Sequence, residues 1–132
     1  MASNSADFDF SEVVALAASI GQIPAVAISE ARGVVAKGAL NIKKDTRDNV
    51  SDNPSWKHLA STVNYQMAGN AFFAEAVVGY DDQGQGELAG IYEFGSATRA
   101  PHPTLYPAAA RELPNFEKAL GAVVGKAVEG AL

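Results

Sequence analysis

One stretch of the chain, IYEFGSATRAPHPTLYPAAARELP at positions 91–114, carries residue types that could do acid–base chemistry. Glu93 could act as a general acid or base, with Arg99 and His102 close behind it, and Glu75 could be its partner in a carboxylate pair. Nothing in the spacing brings the two carboxylates together, and isolated Glu residues are usually structural or exposed. We therefore predict a protein that is not an enzyme, and we keep a small hydrolase as the less favoured alternative.

The two histidines do not belong to a metal-binding motif. His58 stands beside Trp56, His102 lies between prolines, and no H-E-x-x-H spacing links either one to a carboxylate. Asp81 and Asp82 lack the alternating acids and the closing Glu of a calcium loop. The sequence also has no nucleophile elbow, no P-loop and no dinucleotide-binding motif. It therefore predicts neither a metal nor a cofactor.

Length and composition predict one folded domain. A chain of 132 residues has room for one core, so residues 1–132 are expected to form a single domain. Cysteine is absent, which excludes disulfides and thiolate metal sites. The acidic N-terminus is unlike a secretory signal, and the longest apolar run is interrupted by Gly21 and Pro24 before it could span a bilayer. We expect a soluble intracellular protein that binds no membrane.

Basic residues cluster in one segment although the net charge is −5. Half of the ten lie there: Arg32, Lys37, Lys43, Lys44 and Arg47. This segment could face DNA or an acidic neighbouring subunit, or it could be the solvated face of a helix. A monomeric adaptor or nucleic-acid-binding module that uses these side chains is therefore an alternative function.

A first helix is predicted near the N-terminus, with Asp9 or Ser11 as its cap and Gly21 at its end. Its apolar face would be formed by Val13, Val14, Leu16, Ala17 and Ile20.

A second helix is predicted from about Pro24 to about Arg47. Gly33 and Gly38 each lower its propensity by roughly 1 kcal/mol relative to Ala, so we expect them to mark a close contact with another helix. The following stretch, positions 45–56, is rich in turn formers and predicts a loop.

The periodicity changes after this loop. Val63, Tyr65 and Met67 alternate with polar residues, which is typical of a half-buried strand. The run FFAEAVVGY alternates in the same way, so the two runs predict an antiparallel hairpin. The next stretch, GELAGIYEF, is compatible with a helix or a strand, and we favour a short helix ended by Gly95.

Closely spaced prolines predict a stiff, extended arm over SATRAPHPTLY. Ala100 and His102 each precede a proline, which disfavours helical backbone at both positions. Pro107 suits the first turn of a closing helix and Thr104 its cap, whereas Pro114 should kink or split that helix. Beyond Pro114, the apolar stripe of the helix would consist of Phe116, Leu120, Val123, Val124 and Val128.

The predicted fold class is α+β. It consists of N-terminal helices, a small antiparallel sheet built on the β-hairpin, the Pro-rich arm and a C-terminal helix. At the turn that begins the arm, we expect Phe94 to lie in the core and Glu93 to be exposed or bonded to nearby backbone.

The strip IYEFGSATRAPHPTLYPAAARE resembles the signature of the neck or tail-completion proteins of long-tailed bacteriophages. Its first block is matched by Glu93, Phe94 and Gly95, and its second by Pro103, Leu105, Pro107 and Ala108. The order of helical N-terminus, hairpin and C-terminal helix also matches. Three features depart from the family pattern: Ser96 stands in place of Thr, Thr104 in place of Phe, and NPSWKHLAST in place of a Thr-Gly-x-Leu element.

The resemblance implies a structural virion protein of the head–tail junction, assembled in the host cytoplasm. It would form a homo-oligomeric ring, contact other neck or tail proteins, leave a channel for DNA and carry no catalytic residues. The predicted subunit contacts are Arg99, His102, Leu105 and Tyr106. The predicted structural turn and helix start consist of Glu93, Phe94, Gly95, Pro103 and Pro107. The five basic residues, Arg32 to Arg47, would face the DNA channel or a partner.

Overall fold

The computed structural model describes residues 13–19, 25–70, 73–81, 86–98 and 100–131. Along the chain, its elements are β1 (Val13–Ser19), α1 (Ala25–Ser51), a 3-10 helix (Lys57–Thr62), β2 (Val63–Gly69), β3 (Phe73–Tyr80), α2 (Gly86–Phe94) and α3 (Leu105–Ala131). The predicted α+β class is confirmed.

The first described element is a strand, so the helix predicted over the same residues is wrong. β1 pairs antiparallel with β3 along its whole length, beginning with Val13 opposite Gly79. A short apolar run fits either period, and here pairing with the open edge of β3 outweighs the helical pattern. The caps predicted for that helix, Asp9 and Ser11, and its end at Gly21 lie outside the described residues.

The predicted hairpin is confirmed. β2 and β3 pair antiparallel with Val63 opposite Tyr80, and the strand order in the sheet is β1-β3-β2. At the turn, Gly69 has a φ of 152°, and the N–H of Asn70 donates to the carbonyl of Phe73 at 2.9 Å. One face of β3 is fully buried through Ala74, Ala76, Val78 and Tyr80.

The second predicted helix is confirmed as α1, which continues to Ser51, so the first half of the expected loop is helical. Gly33 is exposed, and a Cβ added there would meet no atom within 4 Å, so its predicted close contact is wrong. Gly38, one turn further, is buried.

The core lies between α1, one face of the sheet and α3. It contains Ala27, Ile28, Ala31, Val35, Ala39, Ile42, Val50, Leu59, Val63, Ala74, Ala76, Val78, Tyr80, Ala89, Tyr92, Leu105, Ala108, Phe116 and Val123. Because many of these side chains are alanines, the helices can approach the sheet closely.

α3 packs along α1 and buries the stripe predicted for it only in part. Phe116 and Val123 are buried and Leu120 packs against the core, whereas Val128 is 48% exposed. Pro114 lies inside α3 without splitting it, because the helix runs on to Ala131. In the described ranges, no helix has the length and apolar character needed to cross a membrane.

Two polar contacts fix α3 against α1. Arg111 donates from Nε and Nη2 to the two carboxylate oxygens of Asp45, each at 2.8 Å. Asn41 Nδ2 donates to Glu112 Oε2 at 3.1 Å. A two-pronged Arg–carboxylate pair fixes orientation, although at an exposed site it adds little stability.

Candidate functional site

The arm, which we define as residues 95–104, joins α2 to α3. Gly95 has a φ of 79°, the left-handed conformation, which confirms its predicted role as the residue that ends the short helix. The described residues between 96 and 103 are all exposed, and Arg99 lies outside the described residues. The arm is therefore a surface segment, and its two ends determine how well it is ordered.

A buried carboxylate holds the two ends of the arm together. Glu93 is only 2% exposed, and its Oε1 accepts the backbone N–H of Thr104 at 2.9 Å and that of Leu105 at 3.3 Å. Its Oε2 accepts the hydroxyls of Tyr80, at 2.5 Å, and of Thr104. Four donors from β3, the arm and α3 therefore converge on one side chain.

This carboxylate caps α3 from another helix. The first N–H groups of a helix have no partner inside it, and the helix dipole favours a negative charge at that end. Thr104 occupies the predicted cap position directly before α3, but its hydroxyl bonds to Glu93 and Tyr80. The Glu93 carboxylate supplies the acceptor instead, reaching over from α2.

The environment of Glu93 is unsuited to catalysis. Its oxygens are occupied by donors of the protein itself, and it is closed to solvent. Glu75, the other carboxylate of the pair considered from the sequence, lies on β3 at an odd position, so it faces away from the buried side that carries Tyr80. The two carboxylates do not meet.

The expectation that Phe94 lies in the core is wrong, whereas one of the two alternatives for Glu93, bonding to nearby backbone, is confirmed. Phe94 is 59% exposed and not in the core, whereas Glu93 is buried and bonded to both backbone and side chains. Helical spacing indicates the burial of Glu93. Ala89 is followed three residues later by Tyr92 and four residues later by Glu93, so all three lie on one buried face of the helix, and Phe94 lies outside this face. The hydroxyl of Tyr80 was also overlooked, although a buried Tyr normally needs a hydrogen-bond partner.

Tyr80 makes the stability of the protein sensitive to alkali. Burial, together with the hydrogen bond to Glu93 and its charge, raises the pKa of Tyr80 far above the ordinary value of 10. A phenol that ionises more easily in the unfolded chain stabilises the fold fully below pH 10 and progressively less as the pH rises above it. We expect thermal denaturation between pH 8 and pH 11 to show a stability loss of up to about 1.4 kcal/mol per pH unit from this group.

Tyr80→Phe provides the comparison for this effect. The variant lacks the phenol, so its stability should fall less steeply above pH 10 than that of the wild type, even if it starts lower. Burial also raises the pKa of Tyr92, and this contribution is common to both proteins. Parallel pH profiles would contradict the assignment.

Aromatic rings fix the C-terminal part of the arm to the body of the protein. His102 stacks on Tyr92 with ring centroids 5.2 Å apart and an interplanar angle of 9°, and its N–H donates to the Tyr92 carbonyl at 2.7 Å. Trp56 also packs against Tyr92, with ring centroids 5.5 Å apart, and it stacks with His58 at 6.4 Å. His102 therefore positions the arm as well as lying on its surface.

A shallow groove of about 490 Å³ runs between the end of α1 and the arm. Asn49, Asp52 and Asn53 line one side, and Tyr92 and His102 line the other. The described residues contain no group of three or more metal-binding side chains. Asp82, which with Asp81 forms the acidic pair compared above with a calcium loop, lies outside the described residues.

The four predicted contact residues have different positions. His102 is exposed in the arm, and Tyr106 is 50% exposed in the first turn of α3, so both are accessible. Leu105 is fully buried and belongs to the core, so its assignment to a subunit contact is wrong. It was predicted to lie in the arm, but α3 begins at this residue and directs its side chain inward. Arg99 lies outside the described residues.

Pro103 and Pro107 have the structural positions expected of them. Pro103 lies in the arm directly before Thr104, and Pro107 lies in the first turn of α3. The ring at this position does not disrupt the helix, because first-turn N–H groups have no partner within the helix.

The five basic residues of α1 do not form one uniform surface. Arg32, Lys43 and Arg47 lie against the hairpin and make contacts with it. Lys37 and Lys44 are exposed, with Glu30 and Asp48 on the same side of the helix. The mixed charge on this side weakens the alternative of a nucleic-acid-binding module that uses all five residues.

Comparison with known proteins found no match for this chain among protein-family models, curated protein sequences or solved structures.

Proposed function

We propose that the chain is a structural subunit of the phage head–tail junction, a neck or tail-completion protein that forms a ring around a DNA channel. The proposal rests on the resemblance of residues 91–112 to the signature of that family. Its partners would be copies of itself and other neck or tail proteins, and its site of action would be the virion.

One observation supports this role most directly: the described residues from 96 to 103 are all exposed, yet the end of the arm that leads into α3 is fixed to the body of the protein. Glu93 binds the backbone at Thr104, and the N–H of His102 bonds to Tyr92. A segment that is already ordered loses little conformational entropy on binding, so its contacts contribute more fully to affinity.

Two exposed aromatic side chains flank the arm, one before its first residue and one just after its last residue. Phe94 ends α2 at 59% exposure and Tyr106 begins α3 at 50% exposure. Each directly follows a residue of the buried Glu93 network, since the Leu105 N–H bonds to Glu93. Aromatic residues held on a rigid support are the side chains that most often contribute binding energy at subunit contacts.

The test is assembly of the purified chain, measured by light scattering and electron microscopy alone and with phage neck proteins. We expect ring-shaped oligomers, or monomers that form rings on a partner ring. The double variant Phe94→Ala with Tyr106→Ala should weaken assembly by about tenfold or more. Leu113→Ala is the control, because Leu113 is an apolar side chain with a similar exposure, 45%, but lies eight residues beyond the start of α3 and so does not flank the arm.

Two outcomes would count against the proposal. Equal assembly of the double variant and the Leu113 variant would remove the arm from the interface. A chain that stays monomeric with every neck protein and never co-purifies with tailed particles would contradict the function itself.

A further inference from the structure

The outer edge of the sheet at β2 has no strand partner among the described residues. The strand order β1-β3-β2 leaves β2 at the edge. Just beyond the two ends of β2, the carbonyl of Thr62 accepts the N–H of Asp81, and the N–H of Asn70 donates to the carbonyl of Phe73. The backbone N–H and C=O groups at even positions of β2 therefore face β3, and those at odd positions face outward. Arg47 Nε reaches the outward carbonyl of Val63 at 2.9 Å. The backbone groups of Tyr65 and Met67 therefore point toward this open edge.

A row of three cations follows this edge from one end to the other. Arg32 donates to the carbonyl of Asn70 at 2.9 Å, Lys43 lies 5.7 Å from the ring centre of Tyr65, and Arg47 binds Val63. The contacts of these cations are to backbone carbonyls, an amide and a ring. The salt bridge found among the described residues joins Arg111 to Asp45 instead.

Two of these cations, Lys43 and Arg47, are close enough to affect each other. Burial and the neighbouring Arg47 guanidinium lower the pKa of Lys43. A line of positive charge beside outward-facing backbone groups is suited to an acidic, extended peptide segment, which would satisfy both the hydrogen bonds and the charge.

The chain contains such a segment. Residues 7–12 read DFDFSE, in which Asp7, Asp9 and Glu12 are acidic and Phe8 and Phe10 alternate with acids in the period of a strand. They directly precede β1, which lies at the opposite edge of the sheet from β2. A contact between this segment and the β2 edge of a different copy would join unlike surfaces, which is the arrangement that a ring requires.

We propose that residues 7–12 of one copy bind the β2 edge of a second copy as an added strand, with the carboxylates of Asp7 and Asp9, which share one face of the strand, directed at the row of Arg32, Lys43 and Arg47. This contact deepens the proposed ring and rests on that function for its biological role. Repeated from copy to copy, it would link one subunit to the next independently of the arm.

The test uses a fluorescent peptide of residues 5–12, SADFDFSE, added to the full-length chain at concentrations below self-association. We expect saturable binding, followed by fluorescence anisotropy, that weakens as the salt concentration rises. In the double variant Arg32→Glu with Lys43→Glu, peptide affinity should fall by about tenfold or more. Arg47 is left unchanged because its bonds to Ser61 and Val63 support the fold.

The matched control reverses the same number of charges on the same helix. Lys37→Glu with Lys44→Glu changes the net charge equally but leaves the β2 edge intact, so its affinity should stay within about twofold of the wild type. A peptide with Lys at positions 7 and 9 should bind the Arg32→Glu, Lys43→Glu variant better than the wild type. This reversal identifies charge pairing even if a variant is less stable.

The outcomes separate this inference from the proposed function. Absence of peptide binding to the wild type, or equal losses in both double variants, overturns the strand contact whether or not rings form. Peptide binding with the expected charge pattern supports the contact even if the chain is absent from virions, in which case only the proposed function fails.

Discussion

Replacing Glu93 by Ala is expected to lower the free energy of unfolding by about 3–5 kcal/mol, measured by urea denaturation. The substitution removes the acceptor of four donors, including the backbone N–H groups of Thr104 and Leu105 and the hydroxyl of Tyr80. Each buried donor left without a partner costs about 1–3 kcal/mol, and Tyr80 and Thr104 recover part of this by bonding to each other.

Glu93→Gln removes the charge of the side chain but keeps its size and shape, so it separates these two contributions to stability. The amide keeps one acceptor oxygen but turns an NH₂ group toward the donors, so a smaller loss of about 1–3 kcal/mol is expected. Glu75→Ala is the matched control, since Glu75 is a half-exposed carboxylate on the opposite face of β3 from Tyr80, and the loss for this variant should stay within about 0.5 kcal/mol. Equal losses for Glu93→Ala and Glu75→Ala would show that the carboxylate does not hold the arm.

Gly69→Ala should destabilise the hairpin by about 2–3 kcal/mol. Gly69 has a φ of 152°, and a Cβ placed there would lie 2.4 Å from the Phe73 carbonyl oxygen. The clash is with backbone of the paired strand, so relief requires the turn to move. Thermal denaturation and amide hydrogen exchange in β2 and β3 would measure the loss.

The same substitution at Gly33 should have the opposite effect on the free energy of unfolding. A Cβ there meets nothing within 4 Å, and Ala is the better helix former by about 1 kcal/mol, so Gly33→Ala should stabilise α1. If both variants change stability in the same direction, backbone conformation at Gly69 is not the cause.

Local patterns in the sequence predicted several elements because the relevant forces are local. Alternation of apolar and polar residues predicted the hairpin. Gly95 predicted the end of α2, and Pro107 predicted the first turn of α3. α1 was recognised from its helical spacing. The strand β1 was missed because a short apolar run does not determine its own period, and pairing with a distant strand decided the outcome.

The candidate site was only partly predictable for a similar reason. The sequence identified the strip and the cap position at Thr104, but the acceptor for the helix start comes from Glu93, a residue in another helix. Leu105 was misplaced because the exact residue at which the arm becomes helix depends on that bond.

The topology of the sheet has a consequence for the order of folding. β1 pairs only with β3 among the described strands, and all of α1 and β2 lie between them in the chain. The hairpin closes across a short turn, whereas β1 must close a long loop, which is slower. During synthesis the ribosome delivers β1 first, so this strand has to wait for β3 and remains open to pairing with other chains in the meantime.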